Sequence, residues 1–132
     1  MRGGFIVGGP PASLLFLGCA IETFKQRGSI HYLIDKDGTI YQLVPDLNTA
    51  YHVGRPTTWV TNENSIGIEF VGYYDKVNGK IICHELTPEQ QEAGKWLMPM
   101  LMAKYNIPRE KIFRHPEVSR KQKTEAQSVE IP

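Results

Sequence analysis

The run Ser65-Ile66-Gly67-Ile68-Glu69-Phe70-Val71-Gly72 carries one ionisable side chain inside an apolar, strand-like stretch. Burying a carboxylate costs several kcal/mol unless the group is paired or protonated. Glu69 is therefore either an acid/base group held for chemistry or an ion-paired core carboxylate. The chain has four histidines, His31, His52, His84 and His115, a residue type that serves as base, metal ligand or satisfied core group. Taken singly, His31 and His84 read as structural. Cys19 and Cys83 are too few and too far apart for a disulfide framework or a cysteine zinc site, so the expectation is buried free thiols in a reducing compartment. Trp59, Trp96 and the series Met98, Met100, Met102 read as core or helix-face packing, since methionine fills irregular gaps.

The elements that must position Glu69 follow from local pattern. Phe5-Ile6-Val7, closed by Gly8-Gly9-Pro10-Pro11, reads as a short buried strand. Apolar residues from Leu14 to Gln26 recur at helical spacing behind a capping Ser13, with Gly28 as a stop, which predicts a first helix. His31–Ile34 and Thr39–Val44 are strand-like and are joined by Asp35-Lys36-Asp37-Gly38, whose Asp-Gly pair predicts a hairpin. Ser65–Gly72 reads as an interior strand. Thr87-Pro88-Glu89-Gln90 is a capping-box pattern opening a second helix to about Tyr105, with a kink expected at Pro99. Lys111-Ile112-Phe113 reads as a last strand, followed by a polar, irregular tail.

At 132 residues the chain suits one domain spanning 1–132, with one core and one site. Hydrophobic residues at 41% and charged residues at 22% exclude disordered and collagen-like classes. A formal net charge of +1 gives no electrostatic reason to expect nucleic acid or an acidic membrane as partner. Arg2, Phe5-Ile6-Val7 and the apolar run to Cys19 resemble a secretory signal only faintly, because Pro10 and Pro11 interrupt it and the run is shorter than the roughly 18 residues of a membrane span. The expected location is cytoplasmic.

Several segments, in order, resemble the zinc-dependent N-acetylmuramoyl-L-alanine amidases, a family that includes amidase-type phage lysozymes, bacterial muropeptide-recycling amidases and animal peptidoglycan-recognition proteins. They are Ser29-Ile30-His31-Tyr32-Leu33-Ile34-Asp35-Lys36-Asp37-Gly38-Thr39-Ile40-Tyr41-Gln42, Ala50-Tyr51-His52-Val53-Gly54, Asn64-Ser65-Ile66-Gly67-Ile68-Glu69, Phe113-Arg114-His115-Pro116-Glu117-Val118 and Lys123-Thr124-Glu125. No one segment is specific, but the ordered set is.

The resemblance implies an α/β fold, a mixed central sheet of about five or six strands flanked by helices. It also implies one zinc ion held by two histidines and a carboxylate or thiolate, with a fourth position open for water whose pKa falls to about 7. In such enzymes the hydroxide attacks the amide between the lactyl group of N-acetylmuramic acid and L-alanine. His115 falls on the second histidine ligand and Glu125 on the third ligand. Lys123 falls on the catalytic lysine, which stabilises the oxyanion, and Glu69 on the glutamate that handles protons at the metal-bound water. His52 matches the histidine of the substrate groove, and Tyr51, His31 and Asn64, in the matched segments, are assigned to substrate binding with it.

The metal site departs from the pattern. Family members place the first zinc histidine just after the first strand, which the reading above sets at Gly8, and glycine offers no ligand. Glu125 replaces an aspartate and adds one bond, roughly 1.5 Å of reach. Three functions follow. The first is a pseudo-amidase that binds a muropeptide or other small ligand in the inherited groove and holds no zinc. The second is an active zinc amidase whose missing ligand comes from elsewhere, such as His31 or His52, or whose first ligand is misplaced by the alignment at the N-terminus. The third is a protein-interaction module.

Overall fold

A computed structural model describes residues 14–20, 29–53, 58–72, 74–114 and 127–132. Strands β1 (Leu14–Ala20), β2 (Tyr32–Ile34), β3 (Ile40–Gln42), β4 (Ser65–Val71), β5 (Tyr74–Val77) and β6 (Lys80–Cys83) precede one long helix, α1 (Pro88–Tyr105). A 3-10 turn (Arg109–Lys111) and strand β7 (Ile112–Arg114) follow it. The main sheet has five strands in the order β3-β2-β4-β1-β7, and β5 and β6 form a separate two-stranded ribbon. β1 runs parallel to both β4 and β7, β2 runs parallel to β4, and β3 closes the edge antiparallel to β2. The mixed sheet with its helix is the fold expected from the sequence.

The segment from Leu14 is a correction to that reading. Leu14–Ala20 is a strand, not the start of a helix, and it lies between β4 and β7. A short apolar run fits both periods, and a strand flanked on both sides in a parallel sheet is apolar nearly throughout. Its backbone groups pair with two neighbours at once, which no isolated helix needs. The remainder of the expected helix, residues 21–26, and the expected strand Phe5–Val7 lie outside the described residues.

Alternation along the strands separates two faces. Leu15, Leu17, Tyr32, Ile34, Ile66, Ile68, Phe70 and Ile112 belong to one buried cluster with Ala93, Leu97, Met98 and Leu101 of α1. Burying each such large side chain stabilises the fold by about 1.5–3 kcal/mol. Gly94 permits the approach of α1, because a Cβ there would already touch Met98 Cε at 3.3 Å and Phe70 at 3.5 Å. Residues of opposite parity, Leu33, Gly67 and Glu69, belong to the other face.

The helix is fastened at both ends. Thr87 accepts from the Gln90 amide, and the Gln90 side chain accepts from the Thr87 amide, a complete capping box. Gln90 Nε2 then donates to the carbonyls of Ile34 and Val71 at 3.2 and 2.6 Å. The capping residue thereby ties α1 to the ends of β2 and β4. At the other end Asn106 adopts the left-handed conformation (φ 53°) and its amide returns to the Met102 carbonyl. The helix continues through Pro99. Among the described residues no helix is long and apolar enough to cross a membrane.

Candidate functional site

Glu69 sits on β4 at 8% exposure, between two neighbours fixed by register: Leu33 of β2 on one side and Gly18 of β1 on the other. Leu33 in turn stands opposite Tyr41 of β3. One cross-sheet row therefore reads Tyr41, Leu33, Glu69, Gly18. It runs from a half-exposed aromatic at the sheet edge to a position without a side chain at the sheet centre.

Two residues before Glu69, on the same face, Gly67 anchors a pair of buried histidines. Its amide donates to His31 Nδ1 at 3.0 Å, while His31 Nε2 lies 2.7 Å from the Asn48 carbonyl. Because Nδ1 accepts, the proton is on Nε2 and the ring is neutral. Burial lowers the His31 pKa, opposed by the Asn48 hydrogen bond and by the charge of Asp46. His52 Nε2 lies 2.7 Å from Ser65 Oγ, and the Ser65 hydroxyl donates to the Thr61 carbonyl at 2.6 Å. That hydroxyl has one proton, so His52 Nε2 is the donor. The two rings meet edge to face with centroids 5.4 Å apart. A Cβ on residue 67 would come within 2.3 Å of Ile30 Cδ1 and 2.8 Å of His52 Cγ. Glycine at 67 is what lets the His52 ring lie against β4.

The loop before β4 is organised by two asparagines. Asn62 Oδ1 accepts from the amides of His52 and Val53 at 3.0 and 2.9 Å. Asn64 Oδ1 accepts from Thr61, and its Nδ2 donates to the Trp59 carbonyl. Asn64 thus shapes the loop with both ends of its amide. Tyr51 keeps a half-exposed ring while its backbone pairs with Ser29 through amide and carbonyl. Trp59 stands 56% exposed, edge-on to Phe113 at 6.0 Å. The packing assignment for Trp59, Trp96 and Met100 is corrected, since all three are exposed; Met98 packs in the core and Met102 against it.

Of the residues expected at the site, the structure brings Glu69, His31 and His52 to one face of the sheet, with Tyr51 and Asn64 on the connecting loops. His52, matched to the histidine of the substrate groove, is buried, because the slot at Gly67 takes its ring inward. Gly8, His115, Lys123 and Glu125 lie outside the described residues. Among the described residues no three His, Cys, Asp or Glu side chains cluster as a metal site.

A second polar centre links α1 to the sheet. Asp46 accepts from Tyr32 and, at 2.6 Å, from Tyr105, with Gln42 at 3.2 Å and the Lys104 ammonium at 3.6 Å. Burial and the bond to Asp46 raise the pKa of both phenols.

Comparison with known proteins agrees with this geometry. The chain is 31% identical over 97 residues to N-acetylmuramoyl-L-alanine amidase CwlH of Bacillus subtilis (strain 168), covering 71% of this chain and 34% of that protein. It therefore spans about a third of the relative's length. The E. coli N-acetylmuramyl-L-alanine amidase AmiD, solved with anhydro-N-acetylmuramic acid-L-Ala-D-gamma-Glu-L-Lys, superposes with a TM-score of 0.73 at 24% identity, over 89% of this chain and 53% of that one. AmpDh3 of Pseudomonas aeruginosa, solved with anhydromuramic pentapeptide, gives 0.75 at 22% identity, over 86% of this chain and 55% of that one. At these identities the solved structures establish the fold. Residues 12–127 match the family model described as N-acetylmuramoyl-L-alanine amidase, and the chain belongs to that family.

Proposed function

We propose that this domain binds a peptidoglycan fragment of the muropeptide class across the Glu69 face and that its zinc-dependent hydrolysis is lost or impaired. The observation that carries this reading is the register of Gly18 with Glu69. A glutamate that handles protons at a metal-bound water needs the metal beside it, and the strand position abreast of Glu69 offers no donor atom. Gly8 lies outside the described residues, and we place the first-ligand position instead on β1 (Leu14–Ala20), the strand beside Glu69. The alternate positions of β1, Phe16, Gly18 and Ala20, are all non-ligands by residue type. On this reading the chain lacks the first of the three ligands that a zinc site of this family needs.

His31 does not replace the missing ligand, since both its ring nitrogens are engaged, one by Gly67 and one by Asn48. Muropeptides are the ligands of the AmiD and AmpDh3 complexes, and the retained fold supports the same class here. Elemental analysis of the purified protein, with calorimetric titration of an anhydromuramoyl tripeptide, tests the reading. The expected result is binding without stoichiometric zinc and without release of L-alanyl peptide. Gly18→His with Glu125→Asp should raise zinc affinity by orders of magnitude before activity returns, because coordination strengthens steeply with each ligand and outer partners lag. Stoichiometric zinc in the unmodified protein, with chelator-sensitive release of the peptide, overturns it and favours an active amidase.

A further inference from the structure

On the helix side of the sheet, away from Glu69, a groove of about 510 Å³ opens between the β2–β3 turn and the first turns of α1. Ile40, Ala93 and Trp96 supply its apolar lining, and Asp37, Glu89 and Glu92 bring three carboxylates to it. The walls are held together. Thr87 Oγ1 donates to the Lys36 carbonyl at 2.6 Å. Gly38 takes a φ of +87° and lies so close to α1 that a Cβ there would meet the Glu89 carbonyl oxygen at 2.9 Å. The cleft is thus formed before any ligand arrives, which lowers the ordering cost of binding.

Its chemistry is lopsided. The chain as a whole carries +1, yet this groove gathers three carboxylates around an indole that is 63% exposed. The Thr39 amide holds the Asp37 carboxyl below its ordinary range, so that group is ionised at neutral pH. Two lysines stand near the groove. Lys36 precedes Asp37 in the turn. The Lys95 ammonium lies 3.0 Å from Glu130 and 3.8 Å from Glu92, so it offsets part of the charge at Glu92 and leaves the carboxylates in excess at the groove. Apolar side chains can cover an aliphatic stem, carboxylates can hold an ammonium or guanidinium at its end, and an indole face adds cation–π attraction. An anionic ligand meets like charge, and a purely apolar one would strip water from the carboxylates.

From this charge complementarity we propose that the groove docks a basic peptide segment of a protein partner, inserting a lysine or arginine side chain over Ile40 and Trp96 among Asp37, Glu89 and Glu92. The site is independent of the Glu69 face and of its metal content. The test uses the full chain carrying Trp59→Phe, so that Trp96 is the sole indole, and follows its fluorescence during titration with the blocked peptide Ala-Lys-Leu-Lys-Ala. A saturable change is expected. It should weaken at least about tenfold in Glu89→Gln with Glu92→Gln, weaken as salt is raised, and vanish when the peptide lysines are Nε-acetylated. Circular dichroism of the double variant should match the parent, since both positions are on the exposed helix surface. Absence of a saturable response overturns the proposal. So does an equal response to the acetylated peptide, which would mark a neutral apolar ligand, or an undiminished response in the folded double variant.

Discussion

Gly67→Ala is the substitution that most directly tests how the Glu69 face is built. The added methyl would stand 2.3 Å from Ile30 Cδ1 and 2.8–2.9 Å from two atoms of the His52 ring. Ordinary carbon contacts are about 3.5–4.0 Å, so both neighbours must retreat by about 1 Å, and both are buried. Overpacking of this kind costs about 1–3 kcal/mol. Against it, alanine restricts the unfolded chain and returns about 0.4–1 kcal/mol, leaving a net loss of about 1–2 kcal/mol. With an unfolding entropy of about 2.1 cal/mol/K per residue over 132 residues, the midpoint should fall by about 4–7 °C in a calorimetric melt. Ile30→Val removes the atom that collides first. Combined with Gly67→Ala it should therefore cost less than the two single changes added together, by about 0.5 kcal/mol or more. A midpoint within 1 °C of the parent, or strictly additive single and double variants, would show that Gly67 is not the slot described.

Stability should also depend on pH through His31. The folded ring has a pKa lowered by burial from 6.5, so the unfolded chain takes up a proton that the folded one refuses. Stability is then at its full value above pH 6.5 and falls as the pH drops from there through the depressed folded pKa. Urea melts at pH 7.5 and pH 5 should show this fall, and His31→Asn should flatten it; an equal slope in the variant contradicts the assignment. Tyr105→Phe removes one hydroxyl from Asp46. A hydrogen bond to a charged group contributes about 1.5–3 kcal/mol, reduced here because the site reaches solvent, so a loss of about 1–2 kcal/mol in denaturant midpoint analysis is expected. A change under about 0.3 kcal/mol would mean that Asp46 does not tie α1 to the sheet.

Some of this protein was legible residue by residue. Asp37-Gly38 specified the β2–β3 hairpin, where the Asp35 amide and carbonyl now bond Thr39 and Gly38. Thr87-Pro88-Glu89-Gln90 specified the start of α1 within the first turn. These signals are local, and each needs only a few consecutive residues. Asn78-Gly79 is an equally local turn signal. Both residues have positive φ, 51° and 78°, and they join β5 to β6, a ribbon found only in the structure.

The ordered family segments determined the fold class and marked Glu69, since one carboxylate in an apolar strand is conspicuous without coordinates. Tertiary structure decided the rest, for a physical reason that recurs. Leu14–Ala20 is apolar under either period, and only pairing with β4 and β7 makes it a strand. The neutral state of His31 depends on Gly67 and Asn48, 36 and 17 residues away. The burial of His52 depends on a missing Cβ in another strand. The acidic groove exists because a hairpin turn meets a helix about fifty residues later. Residue types are written in the sequence, but which atoms share a face, a proton or a cavity is set by register between distant strands, and that register has no local signature.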